Sequence, residues 1–330
     1  MSPGKRTAPM SNVRFASIIV TYRCNARCHM CGTWRHQSRR EDEIGLPVYE
    51  KLPSMDTVNV TGGEPFLRED IEEIVAVLRK KAGRLVISSN GFFTDRIIDL
   101  FKKRRDIGIR ISLEGLPRAN DELRGVRDGF DRGIRTLIEL RHVGVTDIGF
   151  GITVSDRNAK DMIELYRLSK MMGLEFATAA VHNSFYFHKL DNRFEDPQAA
   201  IEEFKRLSYE LLRSNRVKDW FRAYFNYGLI NYIRGNPRLL PCEMGHDSFF
   251  LDPYGEIFPC NVMEKSMGNL RESAFAGIWG GKSADEIRGM VKNCRMNCWM
   301  IGSVSQQMKK YMWKPGAWVL KHKFLKKQIC

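Results

Sequence analysis

A chain of 330 residues, 43% of them apolar, exceeds one average domain and is long enough to bury a sizeable core. It holds no run near the roughly 20 uninterrupted apolar residues of a membrane span, and the opening MSPGKRTAPMSNVR lacks the apolar centre of a secretory signal. Membrane-spanning and exported classes are therefore not expected. The net charge of +14 is uneven: from Ser303 onward there are seven lysines and no Asp or Glu.

Residues 1–14 read as an extension. Phe15 to Val20 (FASIIV) is apolar and β-branched, as a buried strand requires, and the first cysteines follow it directly. Thr57 to Val60 reads as a second strand, ending at Thr61-Gly62-Gly63-Glu64-Pro65. Ile71, Ile74, Val75 and Leu78 then mark a helix over 70–81. A third strand at 85–88 runs into Asn90-Gly91 and a helix over 95–103. Strands at 108–113, 148–154 and 175–180 alternate with helices around 130–138 and over 158–172. Six strand–helix steps with short connections predict a parallel sheet, since parallel neighbours need crossover helices. The fold class is thus α/β, a partial (β/α)6 barrel of the TIM type over 15–195. Helices at 197–213 and 219–233 read as a linker, 196–238. A β-hairpin (249–251 and 256–258 around Asp252-Pro253-Tyr254-Gly255) and a helix over 284–292 form a small cysteine-rich domain, 239–302. A basic aromatic tail, 303–330, ends the chain.

Eight cysteines without an export signal, seven of them in local groups, suggest metal ligation in a reducing cytoplasm rather than disulfides. Cys24, Cys28 and Cys31 place three thiolates within eight residues. An iron–sulfur cube takes four ligands, so three local cysteines leave one iron open. A structural zinc site completed by His29 or His36 is the competing reading.

The spacing CxxxCxxC resembles the signature of the radical S-adenosylmethionine (SAM) superfamily. The resemblance implies a [4Fe–4S] cluster whose open iron chelates SAM, and whose electron releases a 5′-deoxyadenosyl radical. Every suggestive segment follows a predicted strand, where active sites of parallel barrels lie. Gly62, Gly63, Glu64 and Pro65 resemble the family's GGE motif, which receives the amino group of SAM. Ser88 and Asn90 stand where ribose or methionine contacts occur in that family. Ser112-Leu113-Glu114-Gly115 resembles the SLDG segment of the SPASM/twitch branch, and Arg124-Gly125 with Phe130 its downstream RG…F element. By resemblance Ser112, Glu114 and Arg124 belong to the SAM site, with Arg124 at the carboxylate. Met30 departs from the pattern, since many members have an aromatic ring there against adenine.

Cys242, Cys260, Cys294 and Cys298 surround the hairpin and the helix after it. Four thiolates close an iron–sulfur cube or hold one zinc, and a partly open cluster is a third reading. The arrangement resembles the twitch domain, which implies one auxiliary [4Fe–4S] cluster, although the closing pair is CxxxC where CxxC is commoner. Cys330 reads as a bystander.

Candidate catalytic residues are His182, after strand six, and Tyr22, just before the cluster loop, with Ser155, Asn183, Tyr186 and His188 as further pocket candidates. The substrate reading is a small or carrier-linked metabolite: a sugar, an aminocyclitol or a lipid headgroup. The alternatives are maturation of a ribosomally made peptide and, in another class, a non-catalytic iron–sulfur or zinc protein. A reductant such as flavodoxin or ferredoxin is the implied partner. The lysine-rich tail suits peripheral contact with an anionic membrane or a phosphorylated substrate, nucleic acid being less expected. It reads equally as a surface helix whose Trp and Leu pack on the barrel.

Overall fold

In the computed structural model, which describes residues 13–329, the apolar strands lie side by side and helices cover their outer face. The order is β1 (Phe15–Ile19), α1 (Leu46–Glu50), β2 (Met55–Thr61), α2 (Ile71–Lys81), β3 (Ala82–Ser89), α3 (Thr94–Lys103) and β4 (Gly108–Ser112). Then come α4 (Pro117–Arg124), α5 (Gly129–Val143), β5 (Ile148–Val154), α6 (Met162–Met171) and β6 (Glu175–Ala180). β1 to β6 pair in sequence, all parallel, as six strand–helix steps predict. Period-two patterning decides which face looks where. On β2, Val58 and Val60 are fully buried in the core beneath the helices, while Asn59 and Thr61 look into the barrel. Ser17 pairs with Asn59 in register and shares that inner face.

Beyond the barrel come α7 (Pro197–Arg213), α8 (Val217–Ile233), β7 (Ser248–Leu251), β8 (Glu256–Phe258) and β9 (Gly268–Asn269). The hairpin is not a detached unit. β7 pairs parallel with β1, on the side opposite β2, and β8 and β9 continue antiparallel. One nine-stranded sheet results, in the order β6-β5-β4-β3-β2-β1-β7-β8-β9. The chain closes with α9 (Phe275–Trp279), α10 (Lys282–Lys292), α11 (Ile301–Lys310), α12 (Trp313–Val319) and a π-helical turn, Leu320–Phe324. The tail is thus helical, and its two tryptophans part company: Trp318 is buried, Trp313 is 68% exposed. Trp318 packs on Tyr224 and Tyr227 of α8 rather than on the barrel strands. Most of the expected 1–14 extension, and Cys330, lie outside the described residues.

Candidate active site

β1 delivers the chain into the first cysteine loop, and three neighbouring segments hold that loop in place. Arg27 N and His29 N donate to the carbonyls of Arg124 (2.9 Å) and Leu123 (2.7 Å), at the end of α4. Gly32 N donates to Phe187 O at 2.6 Å, and Asn192 Nδ2 donates to Met30 O at 3.0 Å. Both partners belong to a strap, 181–194, that follows β6. The third support is the turn after β2. Gly63 N and Glu64 N donate to Thr21 O (2.7 Å) and Arg23 O (2.8 Å). A Cβ on Gly62 would stand 2.6 Å from Thr21 O, and one on Gly63 only 2.2 Å from Arg23 O. The two glycines therefore let backbone approach backbone. Gly125, at φ 57°, does the same below Arg27. Beneath the loop a buried Glu43 accepts from Arg23 (2.9 Å) and Arg68 (3.0 Å), with Ser38 and Thr21 on its other oxygen.

Glu64 is fully buried, and its carboxylate is already engaged. It accepts from Asn90 N (2.7 Å), Ser89 Oγ (2.9 Å) and Phe66 N (3.1 Å). Burial raises its pKa all the same, because those bonds and Arg124 offset only part of the lost hydration. Its visible work is to lock the β2 turn to the end of β3. Glu114 is likewise raised by burial; it accepts from Thr153 N at 2.6 Å and faces Arg124 at 3.5 Å. The Arg124 guanidinium is buried; burial works against its charge, and Glu114 and Glu64, with Cys28 and Cys24 when ionised, more than offset that and raise its pKa. Burial pushes all three loop thiols up, Cys24 to about 12, so a metal must displace protons to bind there.

A cavity of about 690 Å³ opens over the inner face of the sheet, and both cysteine groups line it: Cys28 and Cys31 from the loop, Cys242, Cys260, Cys294 and Cys298 from the C-terminal part. Met30, Gly62, Gly63, Ser88, Asn90, Ser112, Glu114, Arg124, His182 and Tyr186 also line it. Cys24, Glu64 and Pro65 do not. Four expected pocket residues are turned elsewhere. Tyr22 is buried in an aromatic cluster behind the loop, with Tyr186 and Tyr254 near its ring. His188 stacks on His36 at 4.5 Å. Ser155 donates its Oγ to Asn158 Oδ1 in the turn after β5, and Asn183 is tied to Asn192 within the strap. Short polar side chains beside strand ends satisfy local backbone first, which is why they mislead as ligands.

The wall has further polar members. Asn59 accepts from Ser88 Oγ at 3.0 Å, and Thr153 and Thr178 stand on β5 and β6. The signal for Asn59 is the alternation in TVNVT, polar on every second residue of a strand otherwise fit for the core. Arg238 and Asn261 come from segments without periodicity, where no such signal exists. Asn261 Nδ2 lies 3.5 Å from His182 Nε2, while His182 Nδ1 faces Ala180 O at 3.2 Å. Burial lowers the His182 pKa, so the ring is neutral; Nδ1–H donates to the carbonyl, and Nε2 is the acceptor that faces Asn261 Nδ2.

The cysteines described are all free. Among the described residues, no three His, Cys, Asp or Glu side chains converge as ligands of a single ion do. The thiolates of a cube each take a different iron and so stand apart. The donor chemistry fits iron–sulfur ligation: soft sulfur in both groups, three local thiols beside a buried cation, and four around β7, β8 and the end of α10.

Comparison with known proteins agrees with this geometry. The family model of the Radical SAM superfamily matches residues 18–169, and that of the SPASM iron–sulfur cluster-binding domain matches 242–299. The chain belongs to the radical SAM superfamily, in its SPASM/twitch branch, and is an enzyme of that superfamily. Its cofactors are accordingly a [4Fe–4S] cluster, SAM and auxiliary iron–sulfur ligation at the SPASM part. It is 31% identical over 158 residues to Fe-coproporphyrin III synthase of Methanosarcina barkeri, covering 45% of this chain and 39% of that protein. It is 22% identical to the sporulation killing factor maturation protein SkfB of Bacillus subtilis, across 84% of this chain and 68% of SkfB. Among solved structures, SuiB of Streptococcus suis bound to SAM superposes with a TM-score of 0.66 at 17% identity, over 87% of this chain and 73% of SuiB. AdoMet-bound anSMEcpe gives 0.63 at 16% identity, over 95% and 97%. Among the described residues no helix is long and apolar enough to cross a membrane.

Proposed function

We propose that this enzyme abstracts hydrogen from a small substrate, or from the small end of a carrier-linked one such as a sugar, an aminocyclitol or a lipid headgroup. One observation carries the reading: thiols of both cysteine groups line the same cavity of about 690 Å³. Shared with the clusters and SAM, that cavity leaves room for a small molecule or a single protruding group rather than an extended chain. Cys24, Cys28 and Cys31 would hold the SAM-cleaving cluster, and Cys242, Cys260, Cys294 and Cys298 the auxiliary one. Bound at the first set, the cluster and SAM supply one-electron cleavage of a sulfonium and a 5′-deoxyadenosyl radical. The chain's own work is to bind, orient and exclude water. Arg124 sets a fixed positive charge for a carboxylate. Gly62, Gly63, Ser88, Asn90, Ser112 and Glu114 present polar groups around it, with Met30 as a soft apolar surface. His182 Nε2 is the proton acceptor on the wall. Flavodoxin or ferredoxin is the class of reductant.

The test is anaerobic reconstitution, counting of iron and sulfide, and measurement of 5′-deoxyadenosine formed from SAM and dithionite. Two cubes per chain and 5′-deoxyadenosine are expected. Zinc without iron at the N-terminal thiols ends this reading.

A second reading, maturation of a ribosomally made peptide, is favoured by the similarity to SkfB and by the fold shared with SuiB, one structure of which holds the precursor peptide SuiA. Substrate that fits raises 5′-deoxyadenosine formation above the uncoupled rate. A stimulating peptide encoded beside the gene, with headgroups inert, would decide for the second reading.

A further inference from the structure

The C-terminal helix carries two apolar faces, one docked against the protein and one largely exposed. Pro315, Trp318, Val319 and His322 point inward. The Trp318 ring stacks on Tyr227 at 5.3 Å, and Lys323 Nζ donates to the carbonyls of Leu212 and Ser214 at the end of α7. Ile329 N donates to Tyr209 Oη at 2.8 Å. The helix is therefore docked and held. On its other side, spaced as one helical face, stand Trp313 (68% exposed), Ala317, Leu320 (55%) and Phe324 (57%), whose ring meets Trp220 of α8 along one edge, with Met312 and Leu325 at its ends. Isolated exposed apolar residues are ordinary, but an aligned set on a fixed helix marks an interaction surface.

Charge identifies the occupant. Lys321, Lys326 and Lys327 stand exposed beside this face, and no Asp or Glu occurs from Ser303 onward, where seven lysines do. Among the described residues only Lys310 of these has a carboxylate partner, Glu243 at 2.8 Å. A second copy of the chain would bring like charges together. A single strand of nucleic acid would take the lysines and stack on Trp313 and Phe324, but would leave Met312, Leu320 and Leu325 in water. An anionic bilayer takes both, burying the apolar face at the acyl boundary while the lysines meet headgroups.

We propose that the outer face of the C-terminal helix, Trp313–Ala317–Leu320–Phe324 with its flanking lysines, seats the enzyme on an anionic membrane surface. This goes beyond the catalytic reading and stands without it. The tail leaves the cavity wall at Ile301 through α11, ten residues or about 15 Å of helix, so docking holds the cavity close to the bilayer.

The test is co-sedimentation of the anaerobic, cluster-loaded enzyme with extruded vesicles of phosphatidylglycerol and phosphatidylcholine. Partition is expected to rise with phosphatidylglycerol content and to fall about tenfold or more in 0.5 M salt, the range expected when several charges are screened. The variant Trp313→Ser/Leu320→Ser/Phe324→Ser is expected to lose partition at least tenfold, and Lys321→Glu/Lys326→Glu/Lys327→Glu similarly, while both keep the parent's 5′-deoxyadenosine yield. Three outcomes overturn the proposal. One is no partition of the parent enzyme, or equal partition onto pure phosphatidylcholine. Another is a parent dimer that the apolar variant turns into a monomer, which makes the face a self-interface. The third is unchanged vesicle binding by the apolar variant together with displacement by single-stranded RNA.

Discussion

The two cysteine groups face the same cavity but are built in opposite ways. Cys24, Cys28 and Cys31 sit on one loop that backbone bonds from α4, the β2 turn and the strap hold on three sides. Cys242, Cys260, Cys294 and Cys298 are gathered from distant parts of the chain; Cys294 is exposed and the stretch 294–300 has no regular structure. Arg238 braces that stretch by donating to the Cys298 carbonyl, and Asn297 Nδ2 donates to Tyr232 O at 3.0 Å. A loop tied on three sides by its own hydrogen bonds draws little of its order from the metal. A site assembled from separate segments draws more of its order from the ligand.

The contrast is open to attack at several points. The largest effect is expected at Cys28. Cys28→Ser should cut 5′-deoxyadenosine formation by about a thousandfold or more, while the melting temperature moves by only a few degrees. A variant that kept its activity would remove the N-terminal loop from the chemistry. Gly63→Ala tests whether the tied loop needs that close backbone approach. A methyl group there would meet Arg23 O at 2.2 Å, and a loss of about 3 kcal/mol in denaturant unfolding is expected.

Asp252, in the β7–β8 turn, carries a pH signature. Burial lifts its carboxyl from 3.8 to about 7. The folded state therefore favours the protonated form: its stabilisation is complete below about pH 4 and is lost as the pH rises through 7. Asp252→Asn keeps the acceptor for Tyr254 N and Glu256 N without the charge. It should stabilise the protein by on the order of 2 kcal/mol at pH 8 and leave it unchanged at pH 4. Equal effects at both pH values would refute the raised carboxyl.

Chelating the iron should quicken amide exchange across 294–300 about tenfold or more, and across 24–32 by far less. Equal acceleration would erase the contrast between the groups. The smallest effect belongs to Tyr186→Phe, which deletes the bond from its hydroxyl to Gly62 O at 2.6 Å. A cost of about 1 kcal/mol is expected, read as a shift in the unfolding midpoint.

Much of the scaffold was legible because local pattern and tertiary role coincide. Ile71, Ile74, Val75 and Leu78 form the buried stripe of α2, as their spacing implies. α4 was not legible. Its buried residues are Asn120, Leu123 and Arg124, so no apolar periodicity announces it, and Arg124 is recognised only through its motif. β3 begins at Ala82, directly after α2, where the charged run RKKAGR hides the change of structure. The parallel pairing of β7 with β1 joins residues more than two hundred positions apart, and no local signal encodes it. The strap 181–194 escaped for a related reason: its role lies in backbone bonds to the cysteine loop, which aperiodic sequence does not display. The glycines of the β2 turn were legible as special, but their neighbour turned out to be backbone.

Because β7 lies directly beside β1, the strand leading out of Met244 and the strand leading into the cysteine loop are adjacent rungs of one ladder. The cysteine loop leaves the C-terminal end of β1, whereas Cys242 precedes β7 and Cys260 follows the returning β8, so the two sulfur groups stand toward opposite ends of these strands. The span between the sulfur-rich walls is thus gauged by strand length, at about 3.3 Å per residue. Substitutions can reshape what lines that span, whereas the span itself changes only if residues are added to or removed from the strands.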